Sequence, residues 1–338
     1  MKKSLFFVAA AAVVLASCSS DVKISENTVP VGSNQQREIA FSSVAHTLKH
    51  APVTDGVFPT TNTMEVAAYD VTNSRDFFTA TTFSHSEGTI WTGGKYWPLA
   101  VDTINFLAYA NFEGTSATWG FALPDTAKAA GVTLVMTDNK TAQKDLMYAI
   151  GTGGVKQDNN ALTFSTSVPM AFKHAQAWVS FMADAYDATS GGKVTLDSII
   201  LNGAKYAGTY IIRQTNYDKT TGQTVAGAWT PSGDAQNVKV PNWTPAAIAY
   251  DGSGDGEPVG DGLLIVPDDV PAAPDFASFT IHYTLDGKAY SYTYTPDARN
   301  VDQAKHYVYN IVFHLHEIKI DASVTEWGNG GSTNVPVF

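Results

Sequence analysis

The sequence predicts an all-β protein organised as two β-sandwich domains with little helix. Tyr 15, Phe 17 and Trp 7 stand beside abundant Thr and Val, residue types that suit a pleated, half-buried surface. Short runs of alternating apolar and polar residues are separated by Gly-, Asn- and Asp-rich turn signals. No alternating βαβ pattern occurs, which argues for sandwiches and against a parallel sheet covered by crossover helices.

The first segment is a targeting signal. Lys2 and Lys3 give a positive start, and the apolar run from Leu5 to Leu15 is too short to cross a bilayer as a stable helix. It closes on Leu15-Ala16-Ser17-Cys18, which resembles the lipobox of bacterial lipoproteins. That resemblance implies cleavage before Cys18 and a diacylglycerol on its thiol, so residues 1–17 are expected to be removed. Cys18 is the chain's only cysteine, and an internal disulfide is therefore excluded. Acyl chains contribute about 0.8 kcal/mol per buried methylene, and more than one chain makes the attachment stable. Residues 18–37, polar and without periodicity, read as a flexible tether.

Order is expected to begin at Glu38, where Ile39, Phe41 and Ala45 alternate with polar neighbours. MEVAAYDV, GKYWPL, TINFLAYANF, GVTLVM and KDLMYAI follow as strand-like runs of an N-terminal sandwich, residues 38–157. TAKAA, near 126–130, is a short helical piece. GTGGVKQDNN, residues 151–160, has little to bury and reads as the boundary between domains, so a cut near residue 157 should leave two folded pieces.

The C-terminal sandwich, residues 158–338, opens with ALTFSTSV. In AQAWVSFMADAY, Ala175, Ala177, Val179, Phe181 and Ala183 share one parity. KVTLDSIILN, GTYIIR, DGLLIVP, SFTIHYTL and AYSYTYTP come next. The chain closes with a long run in which Tyr307, Tyr309, Ile311, Phe313 and Leu315 alternate, the pattern of a half-buried strand. Trp97, Trp178 and Trp327 sit in patterned segments and are expected in the cores.

Charge narrows the partners. The formal net charge is −11 and becomes more negative once Lys2 and Lys3 are removed. Such a chain is repelled by nucleic acid and by anionic lipid. The lipid on Cys18 is then its membrane contact.

Chemistry-bearing motifs are weak. Residues 251–262, DGSGDGEPVGDG, open like a calcium loop with Asp251, Ser253 and Asp255 as candidate ligands. The twelfth position, where a bidentate Glu belongs, is Gly262, and the flanks read as strands, so a solvated turn is the simpler reading. His314 and His316 share one face of a strand at zinc-compatible spacing, but no third ligand can be named. Gly88 to Lys95 is one residue too long for a phosphate loop. Neither G-x-S-x-G nor H-E-x-x-H is present. No enzyme activity, metal or cofactor is therefore expected.

Several segments together, WTGGKYWPLAVDTINFLAYAN, DLMYA, PMAFKHAQAWVSF, GLLIVP and IKIDASVTEWGNGG, resemble the fimbrillin family of type V pilins, in the branch similar to minor fimbrial subunits. The resemblance runs in order from about Glu38 to Phe338. It implies an outer-membrane lipoprotein at the cell surface, with two sandwiches of transthyretin-like topology and no catalytic activity. In the family's structural subunits a protease removes the first strand, and a strand from a neighbour fills the groove.

Carried onto this chain, the resemblance makes Ile39 and Phe41 the plug of that groove. Val335, Val337 and Phe338 become candidate donor-strand residues, although Pro336 among them limits the piece to an edge. The family's cleavage follows an arginine after the first strand. Here Arg37 precedes the strand and Lys49 follows it, so both are processing candidates. The partners implied are other fimbrial subunits and a host protein or glycan receptor. The alternative from another class is a glycan-binding surface lipoprotein, its Trp and Tyr rings lining a sugar groove.

Overall fold

The computed structural model describes residues 28–30, 35–45, 63–73, 75–87, 90–100, 102–110, 114–120, 131–141, 143–158, 161–187, 193–213, 217–218, 223–224, 227–250, 256–268, 274–314 and 318–326. All regular structure among them is strand, as the sequence predicts. The targeting segment with Cys18, Lys49, TAKAA, the Asp251-Ser253-Asp255 loop, His316, Trp327 and the C-terminal Val335, Val337 and Phe338 lie outside the described residues.

In chain order the first strands are β1 (Thr28–Pro30), β2 (Glu38–Ala45), β3 (Met64–Asp70), β4 (Arg75–Glu87), β5 (Ile90–Tyr96) and β6 (Asp102–Ala110). Then come β7 (Gly114–Gly120), β8 (Gly131–Met136), β9 (Met147–Asp158), β10 (Ala161–Phe164), β11 (Val168–His174) and β12 (Ala177–Ala185). β13 (Val194–Ala204), β14 (Ala207–Arg213), β15 (Tyr217–Asp218), β16 (Gln223–Thr224), β17 (Ala228–Ser232), β18 (Gln236–Lys239) and β19 (Ala246–Ala247) follow. The last are β20 (Glu257–Pro258), β21 (Leu263–Ile265), β22 (Ser278–Leu285), β23 (Lys288–Tyr294), β24 (Lys305–Phe313) and β25 (Ile318–Glu326).

The first unit is one sheet in the order β1-β10-β9-β11-β2-β5-β4-β3-β6, and β6 also pairs β9. That last pairing closes the sheet on itself, so its layers are two halves of a single ring of strands, from which β10 and β1 extend beyond β9. Inside lies an apolar core drawn from every strand of the ring: Phe41, Val66, Phe83, Trp91, Phe106, Ala149 and Met170 are among its members. Trp97 is buried there too, as the sequence predicts.

Two boundaries read from sequence are corrected here. Residues 151–158 are part of β9, not a linker: β9 pairs β6 from Met147 to Val155 and β10 from Val155 to Asp158. Leu162, Phe164, Val168, Met170 and Phe172 belong to the first core, and the second core begins at Ala177. The change of core therefore falls after His174 instead of near residue 157. Glycine misled because the missing side chains serve packing. A Cβ on Gly151 would sit 2.6 Å from Met170 Sδ, and one on Gly153 would sit 2.6 Å from Trp97 Cη2. The tether is also shorter than expected, since Thr28–Pro30 pair with the edge of β10. Pro30 lacks an N–H but suits a strand at the edge of a sheet.

A second sheet, β17-β14-β8-β7, draws strands from both sides of residue 157. It packs Leu134, Met136, Tyr210, Ile212 and Trp229 against Leu107, Tyr109, Tyr148 and Ile150 on the outer face of the first sheet. A cut near 157 would split this sheet as well as the first core, so two independently folded halves are not what these contacts allow. At the crossing to the second unit, His174 Nδ1 lies 2.9 and 3.0 Å from the two carboxylate oxygens of Asp145, both side chains buried. Gln176 continues the tie by accepting from the Leu146 N–H at 3.1 Å.

The second unit is a sandwich of β20-β12-β24-β25, with β21 beside β12, over β18-β13-β22-β23, with β19 beside β13. β12 and β24 pair in parallel. Their inward residues, Val179, Phe181, Tyr309, Ile311 and Phe313, meet Leu196, Ile199, Phe279 and Ile281 from the other sheet. Phe181 and Phe279 meet edge-on at 5.1 Å, and Phe279 and Tyr309 pack as a tilted pair at 5.0 Å.

One carboxylate pair in the first unit gives a pH test. Asp70 ends β3 and Asp102 begins β6, and both are buried. Burial and a hydrogen bond to Asp70 hold the Asp102 carboxyl above its usual range. Burial also pushes Asp70 up, but hydrogen bonds from the Asn73 side chain and backbone, from Asp102 and from Arg75 outweigh it and leave Asp70 low. A raised carboxyl stabilises the fold fully below its unfolded pKa, and that contribution is lost as pH rises through the folded value. A depressed one does the reverse. Asp102→Asn keeps a donor toward Asp70 and removes the second charge. Thermal unfolding should show the variant more stable than the parent at pH 8, with the advantage shrinking as pH falls toward 4.

Candidate functional site

The candidate site is β2 and the slot it fills. Ile39 and Phe41 alternate inward with Ala40 and Ser42 outward, as the sequence predicts, and both inward side chains are 0% exposed. Phe41 meets Phe83 edge-on at 4.8 Å and Phe106 at 5.0 Å. Aromatic pairs of this geometry add to the stabilisation from burial alone.

Both edges of β2 are occupied. On one side β2 runs antiparallel to β5, with Ala40 opposite Thr92, Phe41 opposite Trp91 and Ser42 opposite Ile90. On the other it runs parallel to β11, from Phe41 opposite Val168 to Ala45 opposite Phe172. The register with β5 shifts between Glu38 and Ala40, which makes room for Gly93 and Gly94 in β5. Gly94 adopts φ +65, a backbone conformation that only glycine adopts freely, and its N–H donates to Glu38 Oε1 at 2.9 Å. Taking β2 away would therefore uncover the apolar floor and two rows of backbone donors and acceptors.

Arg37 is half-buried directly before β2, and its carbonyl accepts from the Trp97 N–H at 2.9 Å. The structure thus brings Arg37, Ile39 and Phe41 together at the start of one strand. The second processing candidate and the donor residues fall outside the described residues, so the structure assigns them no place.

Sequence reasoning did not find the open side of the second sandwich. Among the described residues β23 and β25 each end their sheet and pair along one edge. Tyr290, Tyr292 and Tyr294 lie opposite Tyr283, Ile281 and Phe279, on the core side of β23. In β25, Ile318, Ile320 and Ala322 lie opposite Phe313, Ile311 and Tyr309. All six remain partly exposed. The clue was in the sequence as two alternating apolar rows, but alternation does not tell an edge strand from a central one.

Other polar contacts bind the strands to each other. Ser180 Oγ lies 2.7 Å from His306 Nε2, and the imidazole is stacked at 3.6 Å under Trp178. Trp178 is 6% exposed and donates its indole N–H to the Asp261 carbonyl, so this cluster joins β12 to β24 and to the chain before β21. Among the described residues no group of three or more His, Cys, Asp or Glu is placed to hold a metal ion, and no helix is long and apolar enough to cross a membrane.

Fold and site together define a class: an all-strand protein of two packed units in which an early strand, β2, is clasped on both edges over an apolar core. The chain belongs to the fimbrillin-like family, whose model matches residues 52–327. Among curated proteins no match is found. Solved structures similar to it include a protein provisionally named for cell adhesion from Bacteroides uniformis ATCC 8492, at 15% identity and TM-score 0.48, covering 86% of this chain and 99% of that one. Another, provisionally named in the same way, is from Bacteroides ovatus ATCC 8483, at 14% identity and TM-score 0.49, covering 87% and 98%. A fimbrial protein from Bacteroides vulgatus ATCC 8482 has 12% identity and TM-score 0.46, covering 87% and 100%.

Proposed function

We propose that the protein is a non-enzymatic fimbrial subunit, structural or at the tip. It is exported as an outer-membrane lipoprotein through Cys18 and assembles with other subunits by strand exchange. Membership of the fimbrillin-like family supports the subunit reading. The observation that carries the exchange step is β2 itself, a strand at the beginning of the chain whose removal would open a groove with two pairing edges. Ile39 and Phe41, fully buried, each contribute about 1.5–3 kcal/mol to holding β2 in it, and a replacing strand must supply comparable apolar side chains. A strand from a neighbour satisfies such a groove by β-augmentation. Val335, Val337 and Phe338 are the residues proposed to do so.

Cys18 then holds an immature subunit at the membrane with its own strand in place. Cleavage after Lys49 releases the lipid and the plug together, whereas cleavage after Arg37 releases the subunit with its groove still filled. Limited digestion with a lysine-specific protease, followed by sizing and intact mass, tests this. Cleavage at Lys49 should yield concentration-dependent oligomers that added peptide 38–45 suppresses. A chain cut at Lys49 that stays monomeric with an empty groove would overturn the assembly reading.

A further inference from the structure

The outer face of the β12–β24 ladder carries an aromatic ring stacked on an imidazole at each end. Trp178 covers His306 at one end, where the ring is roofed by the chain around Asp261 and Gly262. At the other end Tyr186 stacks on His314 at 3.9 Å and 27°. This second stack is less covered: Tyr186 is 58% exposed. The Tyr186 N–H donates to the Phe313 carbonyl at 3.0 Å, which carries the ladder one residue past Ala185 and fixes the ring beside His314. The Ala185 N–H also donates to Ala249, so the neighbouring Tyr250, 46% exposed, comes to the same end.

The two stacks differ in what folding asks of them. The roofed ring contributes by burial, whereas the less covered one gains little from leaving water partly and holds a flat face open. That end is also remote from the first unit. β12 leaves the crossing at Ala177 and reaches Ala185 after eight residue steps of about 3.3 Å each. An open tyrosine face braced from behind by an imidazole, with a second tyrosine at the same end, offers apolar rings for stacking and phenolic hydroxyls for hydrogen bonds. Those are the two contacts that one face and the rim of a pyranose ring present. The formal charge of −11 disfavours sialylated or sulfated sugars and selects neutral ones.

We propose that Tyr186, braced by His314 and flanked by Tyr250, is a binding platform for neutral pyranose sugars at the far end of the second sandwich. The platform needs no strand exchange, so a monomer should carry it and its test is separate from that of assembly. The experiment measures binding of the full chain to immobilised chitotriose, mannotriose and lactose, with Tyr186→Ala, Tyr186→Phe and Tyr250→Ala compared at unchanged circular dichroism. Saturable binding to at least one sugar is expected, weakened about tenfold or more by Tyr186→Ala and changed less than about threefold by Tyr186→Phe. No saturable binding to any of the three at millimolar sugar, or equal binding by Tyr186→Ala, would overturn the proposal.

Discussion

Phe41→Ala is expected to cost about 3–5 kcal/mol of stability, the usual range for truncating a large aromatic side chain in a close-packed core. The ring is fully buried between Phe83 and Phe106, and strands pair with β2 on both sides, so the cavity has little means of collapsing. Urea unfolding at equilibrium reads the loss directly. Ala40→Ser, on the opposite side of the same strand and only half-buried, serves as control and should stay within about 1 kcal/mol. If the two substitutions cost the same, Phe41 is not the anchor of this strand. The Phe41→Ala variant should also hold β2 less tightly and lose it more readily to limited proteolysis.

Gly153→Val should be comparably severe. Already the first added carbon would lie 2.6 Å from Trp97 Cη2 and 2.7 Å from Val168 Cγ2. Overpacking of this kind costs about 1–3 kcal/mol or more when the neighbours are themselves locked. Trp97 is buried and meets Phe106 edge-on, so it has no free direction in which to yield. A linker would accept valine at no cost. The variant's melting temperature therefore separates a core strand from a domain boundary, and an unchanged value would restore the boundary near residue 157.

That contrast shows where the fold was legible. Alternation over Ala177, Val179, Phe181 and Ala183, and over Tyr309, Ile311 and Phe313, reports a strand with one buried face, and those residues are buried as read. Period two states which way a side chain points. It does not state which strand lies alongside, so the antiparallel match of β8 with β14, from either side of residue 157, and the parallel match of β2 with β11 were out of reach. Gly151, Gly153 and Gly154 failed for another reason. Local sequence cannot tell glycine that loosens a chain from glycine that admits a tryptophan. At the site, Ile39 and Phe41 were legible because burial leaves a compositional mark. Tyr186 with His314 was not, since their stacking depends on a pairing between distant strands.

The parallel match of β2 with β11 has a consequence for the order in which the molecule is made. Ser42 and Ser167, which approach at 3.4 Å, are 125 residues apart in the chain. β2 must therefore wait, unpaired on that side, until β11, the last strand of its unit, has been synthesised. Contacts so remote in sequence bear a large loop-closure entropy and form late. Synthesis and closure thus run in opposite directions, and a strand translated early in its unit is among the last to be seated. During that interval a lipid on Cys18 would hold the waiting strand close to one surface, where few other chains can reach it.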